Sequence, residues 1–378
     1  MLPSIEDFGF DAAEIERRKE RIRDLYRGRR LDRVPVYIAV ENPERRHSTR
    51  EQFLDAEKQW EEALWVAGLT WKHVPEGDLV PAVRPDVGCS PLATAFGAEL
   101  FWGDDPEQTC GVREPPLERV EDAYELEVPS AEEGLLGEGT ARVALFAERG
   151  EGLVSVSLLD MAGGLNVALD LLGGEKLYAA MREAPEALEH LLGKIQELFL
   201  AAIARQIEAA GGEARVTTTD FFECWSPEGL KGHVSDDVSA AISPRDYRRF
   251  SLPSHDRVFE RYGGGGLHNC GPHPSLEAYL EHRPAPRSID VAWDYSRRDL
   301  PRMKAALRKK AFVYATGFPS RPPAALAAYR DLVDLASPDL IVVPHLTVRL
   351  ADRPEELWRE MRKISEDYAR RIDWGWET

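Results

Sequence analysis

Short apolar, β-branched runs alternate with helical patterns along nearly the whole chain, and no other feature narrows the fold as far. Such runs lie at residues 34–40, 78–83, 153–159, 215–221, 265–268, 288–292, 312–316 and 340–344. Segments of helical period stand around them. Residues 11–30 put Ile15, Ile22 and Leu25 on one side, and residues 49–67 open with Thr49 as N-cap and Gln52 three positions on. Further helices read at 186–210 (ended by Gly211-Gly212), 244–262, 300–310 and 323–336. About eight strands alternating with helices in 378 residues fit an α/β fold, a single decorated (β/α)8 TIM barrel over residues 1–378 with an N-terminal helical extension. A doubly wound open sheet is the structural alternative. Against it, no Gly-x-Gly-x-x-Gly follows the first strand, and phosphate-loop and Gly-x-Ser-x-Gly motifs are absent. The glycine run Gly263 to Gly266 precedes its strand, which is the wrong side for a phosphate-cradling turn.

Composition removes several function classes. A net charge of −18 disfavours nucleic acid and anionic membrane surfaces as partners, because both need clustered Lys and Arg. No apolar run is long enough to span a bilayer, and the segment Met1 to Asp11 is acidic, unlike a signal peptide. The four cysteines, Cys89, Cys110, Cys224 and Cys270, are too scattered for a disulfide framework. The expectation is a reduced, cytoplasmic protein.

In a barrel of this kind the chemistry sits at the C-terminal ends of the strands. Those positions read Glu41 and Asn42, Asp86, Asp160, Asp220 with Glu223, His268 with Cys270, Asp294, and His345. The phrase Leu267-His268-Asn269-Cys270-Gly271 stands out, because side chains at i and i+2 of a strand share a face. His268 and Cys270 thus offer an imidazole and a thiol side by side, two of the three protein ligands of a catalytic zinc. The plainer reading is a buried Cys beside a His bonded to backbone. Glu223 reads as a residue completing a zinc shell, as a general base or as a loop carboxylate, and Asp220 as a residue orienting a ligand His. Cys224 is an alternative thiolate. Phe221, Phe222 and Trp225 form either a pocket wall or a lid, whereas Trp60, Trp65 and Trp71 belong to helix packing. Cys89 and Cys110 read as structural, His273 and His282 as solvent-facing, and Asp236-Asp237 as charge at a helix N-terminus.

The order of elements, the His-x-Cys-Gly phrase and two longer stretches resemble the uroporphyrinogen decarboxylase superfamily. The stretches are residues 158–185, with Leu172-Gly173-Gly174 and Ala184-Pro185, and residues 217–253, with Ile242-Ser243-Pro244 and Leu252-Pro253. The resemblance implies a (β/α)8 barrel and two possible chemistries. True porphyrinogen decarboxylases carry an Arg-rich segment after the first strand to hold substrate carboxylates. Here that place reads Val40-Glu41-Asn42-Pro43-Glu44, which would repel them. The chain is more similar to the zinc-dependent, corrinoid-linked methyltransferases, which bind zinc through a His-x-Cys pair and a later Cys near the last strand. His268 and Cys270 match the pair, and His345 stands where the later Cys belongs. Imidazole also suits zinc, but one thiolate fewer makes the metal more electrophilic and leaves the methyl acceptor open.

The resemblance further implies a corrinoid carried by a partner protein and a small thiol or methylated compound as substrate. Glu41, Asn42, Asp86, Phe222 and Trp225 are the expected substrate contacts, with Asp220 and Glu223 in catalysis. A metal-independent decarboxylase using Asp86, and a barrel that only binds a ligand, are the rival readings.

Overall fold

A computed structural model describes residues 3–376. It contains eight parallel strands: β1 (Tyr37–Val40), β2 (Ala82–Val83), β3 (Ser155–Val156), β4 (Gly232–Ser235), β5 (Gly264–His268), β6 (Ser288–Ala292), β7 (Phe312–Thr316) and β8 (Val342–Val348). One sheet runs β1-β8-β7-β6-β5-β4, and β2 pairs with β3 beside it. A single bridge, Val156 to Val216, and the bond from Thr219 N to Lys231 O (2.9 Å) carry the wall from β3 across to β4. No ladder joins β1 to β2 among the described residues. Asp78, which is 1% exposed, spans that seam by accepting from Val36 N (3.1 Å) and from the Arg33 guanidinium (2.8 Å). The barrel expected from the alternation is thus present, with one wall closed by side chains.

The fourth strand differs from expectation. Residues 215–221, rich in β-branched threonine, form no strand beyond the Val216 bridge. Their hydroxyls bond carbonyls instead: Thr217 to Phe222 O (2.9 Å), Thr218 to Asp220 O (2.7 Å) and Thr219 to His233 O (2.9 Å). Side-chain bonds of this kind compete with ladder formation. The strand itself is β4, Gly-His-Val-Ser, whose single β-branched apolar residue gives little signal.

At the other end of the wall, β8 runs on to Val348, beyond the expected end at residue 344. The 49–67 helix breaks at Asp55, whose carboxylate caps a second helix, Ala56–His73. The first piece, Thr49–Leu54, is capped by Ser48 and Glu51, one residue before the expected box. The N-terminal helix Ala12–Tyr26 buries Ile15, Ile22 and Leu25 as expected, and Tyr26 packs edge-on against Phe312 at the start of β7. No described helix is long and apolar enough to cross a membrane.

The glycine run has a packing reason. A Cβ on Gly266 would lie 2.7 Å from both His233 Cδ2 and Ser288 Oγ, so its absence makes room for an imidazole inside the barrel. Gly263, at φ 79°, closes the helix Leu252–Tyr262 in a conformation that other residues resist.

Candidate active site

His268 is the last residue of β5 and is 8% exposed. The β5–β6 register sets it opposite Asp290, and its Nδ1 lies 2.8 Å from Asp290 Oδ2. Burial works against the imidazolium, but the Asp290 carboxylate outweighs it and holds the His268 proton well above the usual histidine range. On the other side of the ring, Nε2 is 3.4 Å from Cys270 Sγ and 3.6 Å from Asp237 Oδ1. Ligand atoms of Asp237, His268 and Cys270 all lie within 4.8 Å of one another.

Backbone and amide bonds fix this group. Asp237 Oδ1 accepts from Cys270 N (2.8 Å). Asn269, fully buried between the two ligand candidates, donates to Tyr279 Oη (3.2 Å) and accepts from Gly271 N (2.6 Å). The Asp236-Asp237 pair therefore divides its work. Asp236 caps the short turn Asp237–Ala241 by accepting from Ser239 N, as expected of helix N-terminal charge, while Asp237 turns to the imidazole and thiol.

His345 does not join the group. It pairs with Tyr37 across β8 and β1, inside the barrel rather than at its rim, because β8 continues to Val348. Its Nδ1 lies 3.9 Å from Cys224 Sγ, and burial lowers its pKa. The structure thus brings together His345 and Cys224, two of the three expected candidates for a third ligand, and leaves both apart from His268; the other candidate, Glu223, pairs with Arg84.

Asp220 is fully buried, and both its oxygens serve the backbone, accepting from Met161 N (3.0 Å) and Ser235 N (3.2 Å). It ties the end of β3 to β4, and the residue that orients His268 is Asp290. Phe222 stacks on His233 inside the barrel (5.1 Å between ring centres), and Trp225 is buried near the Lys231 ammonium (4.6 Å). Neither lines a cavity at the mouth; their neighbour Phe221 does, with its ring 5.1 Å from that of His268. His273 and His282 are buried, at 1% and 0% exposure, and bond Ser296 and Tyr247, which corrects the solvent-facing reading. Cys110 is buried, as a structural residue should be, whereas Cys89 lies in the same cavity as Cys270.

Two cavities open at the mouth. One, of about 540 Å³, is faced by Asp237, His268, Cys270, Phe221 and Asp160. The other, of about 550 Å³, is lined by Glu41, Asn42, Asp86, Glu223 and Arg84 among others. The expected contacts Glu41, Asn42 and Asp86 thus share a wall with Glu223. Between the cavities sits Arg84, which the sequence reading passed over. Its guanidinium is 3.5 Å from Asp86, 3.5 Å from Glu223 and 3.8 Å from Asp160, over the Phe221 ring.

Asp290 was also passed over, and Asp237 was read only as charge at a helix N-terminus. Asp290 carried a legible signal, as a charged residue in the middle of the apolar run Ser-Ile-Asp-Val-Ala. Arg84 directly follows β2, and its placement by the same strand-end rule was available.

Comparison with known proteins agrees with this architecture. The family description "Uroporphyrinogen decarboxylase (URO-D)" matches residues 17–308. The chain is similar to a solved methyltransferase from Methanosarcina mazei, with a TM-score of 0.67 at 17% sequence identity, covering 92% of this chain and 98% of that one. No curated protein matches the sequence.

Proposed function

Because the chain belongs to the uroporphyrinogen decarboxylase (URO-D) family, we propose that it performs zinc-dependent methyl transfer between a small substrate and a corrinoid carried by a partner protein. The observation that carries this reading is the convergence of Asp237, His268 and Cys270 on one point facing a 540 Å³ cavity. One carboxylate, one imidazole and one thiol are a suitable donor set for zinc, and three protein ligands leave a position for a substrate atom. Asp237 takes the place expected for His345, so the set carries two anionic donors and a less positive metal than a site with two histidines. Zinc, when bound, would lower the pKa of a substrate thiol or polarise a methyl donor.

The chain's own residues supply the rest. Phe221 walls the cavity beside His268. Asp160 faces the same cavity, where burial raises its pKa against the pull of Arg84. The neighbouring cavity brings Glu41, Glu62, Asp86 and Glu223 against only Arg45 and Arg84. That excess of carboxylates disfavours a polycarboxylate pyrrole and hence the decarboxylase reading.

The test is zinc stoichiometry together with demethylation of methylcobalamin by a panel of thiols. We expect about one zinc per chain and activity only in the zinc-loaded protein. Metal-free protein that releases CO2 from a carboxylated pyrrole would overturn the proposal, and zinc-loaded protein inactive across the panel would favour a ligand-binding barrel.

A further inference from the structure

We infer that Asp290 is the positioning residue of the metal group, fixing which nitrogen of His268 faces the ligand cluster; this rests on the zinc reading above. The β5–β6 ladder pairs His268 with Asp290 directly, so backbone register, and not a flexible loop, brings the carboxylate to the ring. Asp290 Oδ2 lies 2.8 Å from Nδ1. An ionised carboxylate only accepts, so Nδ1 carries the proton and donates it. In the neutral ring the lone pair then lies on Nε2, the atom that faces Cys270 Sγ and Asp237 Oδ1. A histidine left to itself would divide between two tautomers, one of which has no lone pair on that side.

The same residue acts a second time through its backbone. The carbonyl of Asp290 accepts from Asn269 N (3.1 Å), the residue between the two proposed ligands. One position on β6 therefore holds both the His268 ring and the chain leading to Cys270. Asp290 is 1% exposed and its Oδ1 has no hydrogen-bond partner. A buried carboxylate with an idle oxygen is unfavourable unless a nearby positive charge offsets it. Zinc on the far side of His268 would provide that charge through the ring. Such carboxylate–histidine–metal arrangements raise the basicity of the ligand nitrogen as well as aligning it.

The experiment compares Asp290→Asn and Asp290→Ala with the unmodified chain by zinc competition against a chromophoric chelator, thermal unfolding, and ¹⁵N NMR of the histidine rings. The side-chain oxygen of Asn can still accept the Nδ1 proton without charge, whereas Ala cannot accept it at all. We expect Asp290→Ala to weaken zinc roughly 10–100-fold and Asp290→Asn to fall between it and the parent. In metal-free protein, at a pH where the ring is neutral, His268 should show a single Nδ1–H tautomer in the parent and lose it in Asp290→Ala. A purely structural residue would lower the unfolding temperature without changing the tautomer.

Parent-like zinc affinity and tautomer in Asp290→Ala would overturn the inference. If that variant does not fold, Asp290→Asn decides by the same two readings. If the parent binds no zinc, the zinc reading fails by itself. The tautomer at a pH where the ring is neutral then still judges Asp290, with a mixture in the parent overturning its role.

Discussion

The two sides of the barrel mouth hold charge by opposite means. On the β4–β6 side, the groups that set the geometry of His268 and Cys270 are held by close, directional bonds: Asp290 on Nδ1, Asp237 on Cys270 N, and Asn269 on Tyr279 and Gly271. Near β2, three carboxylates share one guanidinium, and all three stand 3.5–3.8 Å away. Close, directional bonds suit a site whose geometry must not change, as a metal centre requires. Loose, multiple ion pairs suit a pocket that exchanges partners when a ligand enters. The difference teaches that two cavities of nearly equal volume, about 540 and 550 Å³, can be built for different work.

The sharpest way to break this comparison is to remove a ligand from the rigid side. His268→Ala or Cys270→Ala should lower zinc affinity by at least about 100-fold, because a three-ligand site rarely survives the loss of one. Arg84→Met on the loose side should leave zinc content unchanged. Metal analysis after dialysis checks both, and zinc loss in Arg84→Met would mean that the two sides form one site.

A smaller effect concerns the stability of the loose side. Arg84→Met leaves Asp86, Asp160 and Glu223 crowded without their cation, at a cost of about 1–3 kcal/mol at neutral pH. The sign follows from linkage. Burial already raises Asp160 and Glu223, and like-charge repulsion without Arg84 raises them further, so the folded form holds protons that the unfolded form has released. Stability of the variant is then greatest at low pH and falls as pH rises through the raised values. Burial already displaces Asp160 in that direction with Arg84 present. Urea denaturation at pH 5 and pH 8 should show a larger deficit against the parent at pH 8, and a deficit independent of pH would refute the crowding argument.

His345→Ala tests the third-ligand assignment. It should leave zinc affinity within about two-fold, while the space left in the barrel lowers stability by about 1–3 kcal/mol. Zinc competition and thermal unfolding on one sample separate the two effects. Zinc loss here, with Asp237→Asn neutral, would restore the assignment expected from the resemblance.

The smallest expected effect is at Cys89. Cys89 is exposed, but desolvation by the surrounding cavity wall, followed by Asp160 and Asp170, pushes its pKa up to about 11. Its alkylation at pH 7 should be slow and rise about tenfold per pH unit towards that value, because the thiolate is the reactive form. Cys89→Ser should leave zinc binding unchanged. Rapid labelling of Cys89 at neutral pH, followed by mass spectrometry, would contradict this picture of the cavity wall.

The barrel and seven of its eight strands were legible in the sequence because buried parallel strands write themselves as β-branched apolar runs, and the fourth, Gly232–Ser235, was not because it lacks one. The run 312–316 is observed as β7 with the same limits, and 288–292 as β6. The His-x-Cys phrase was legible because period-two geometry needs no tertiary information. Asp237 was not, since a carboxylate just after a strand looks the same whether it caps a turn or faces a site; here its neighbour Asp236 does the capping. His345 was misplaced by the length of β8. Pro344 suggested an end, but the strand continues through it, with His345 still paired to Tyr37 on β1. Arg84 acquires meaning only when carboxylates from three separate segments, at 86, 160 and 223, converge on it.

The seam between β1 and β2 has a consequence for how the barrel wall would fail. Elsewhere the barrel wall is a row of backbone bonds whose spacing is set by the peptide unit and admits little change. At this joint Asp78 reaches across to Val36 N and Arg33. Side-chain torsions can lengthen or shorten that tie without breaking a ladder. That tie lies at the N-terminal ends of the two strands, whereas Glu41 and Arg84 leave their C-terminal ends to line the cavity at the mouth. Loss of the Asp78 carboxylate would thus loosen the wall at the end away from the mouth, while the end of β5 stays in register and the imidazole and thiol keep their separation.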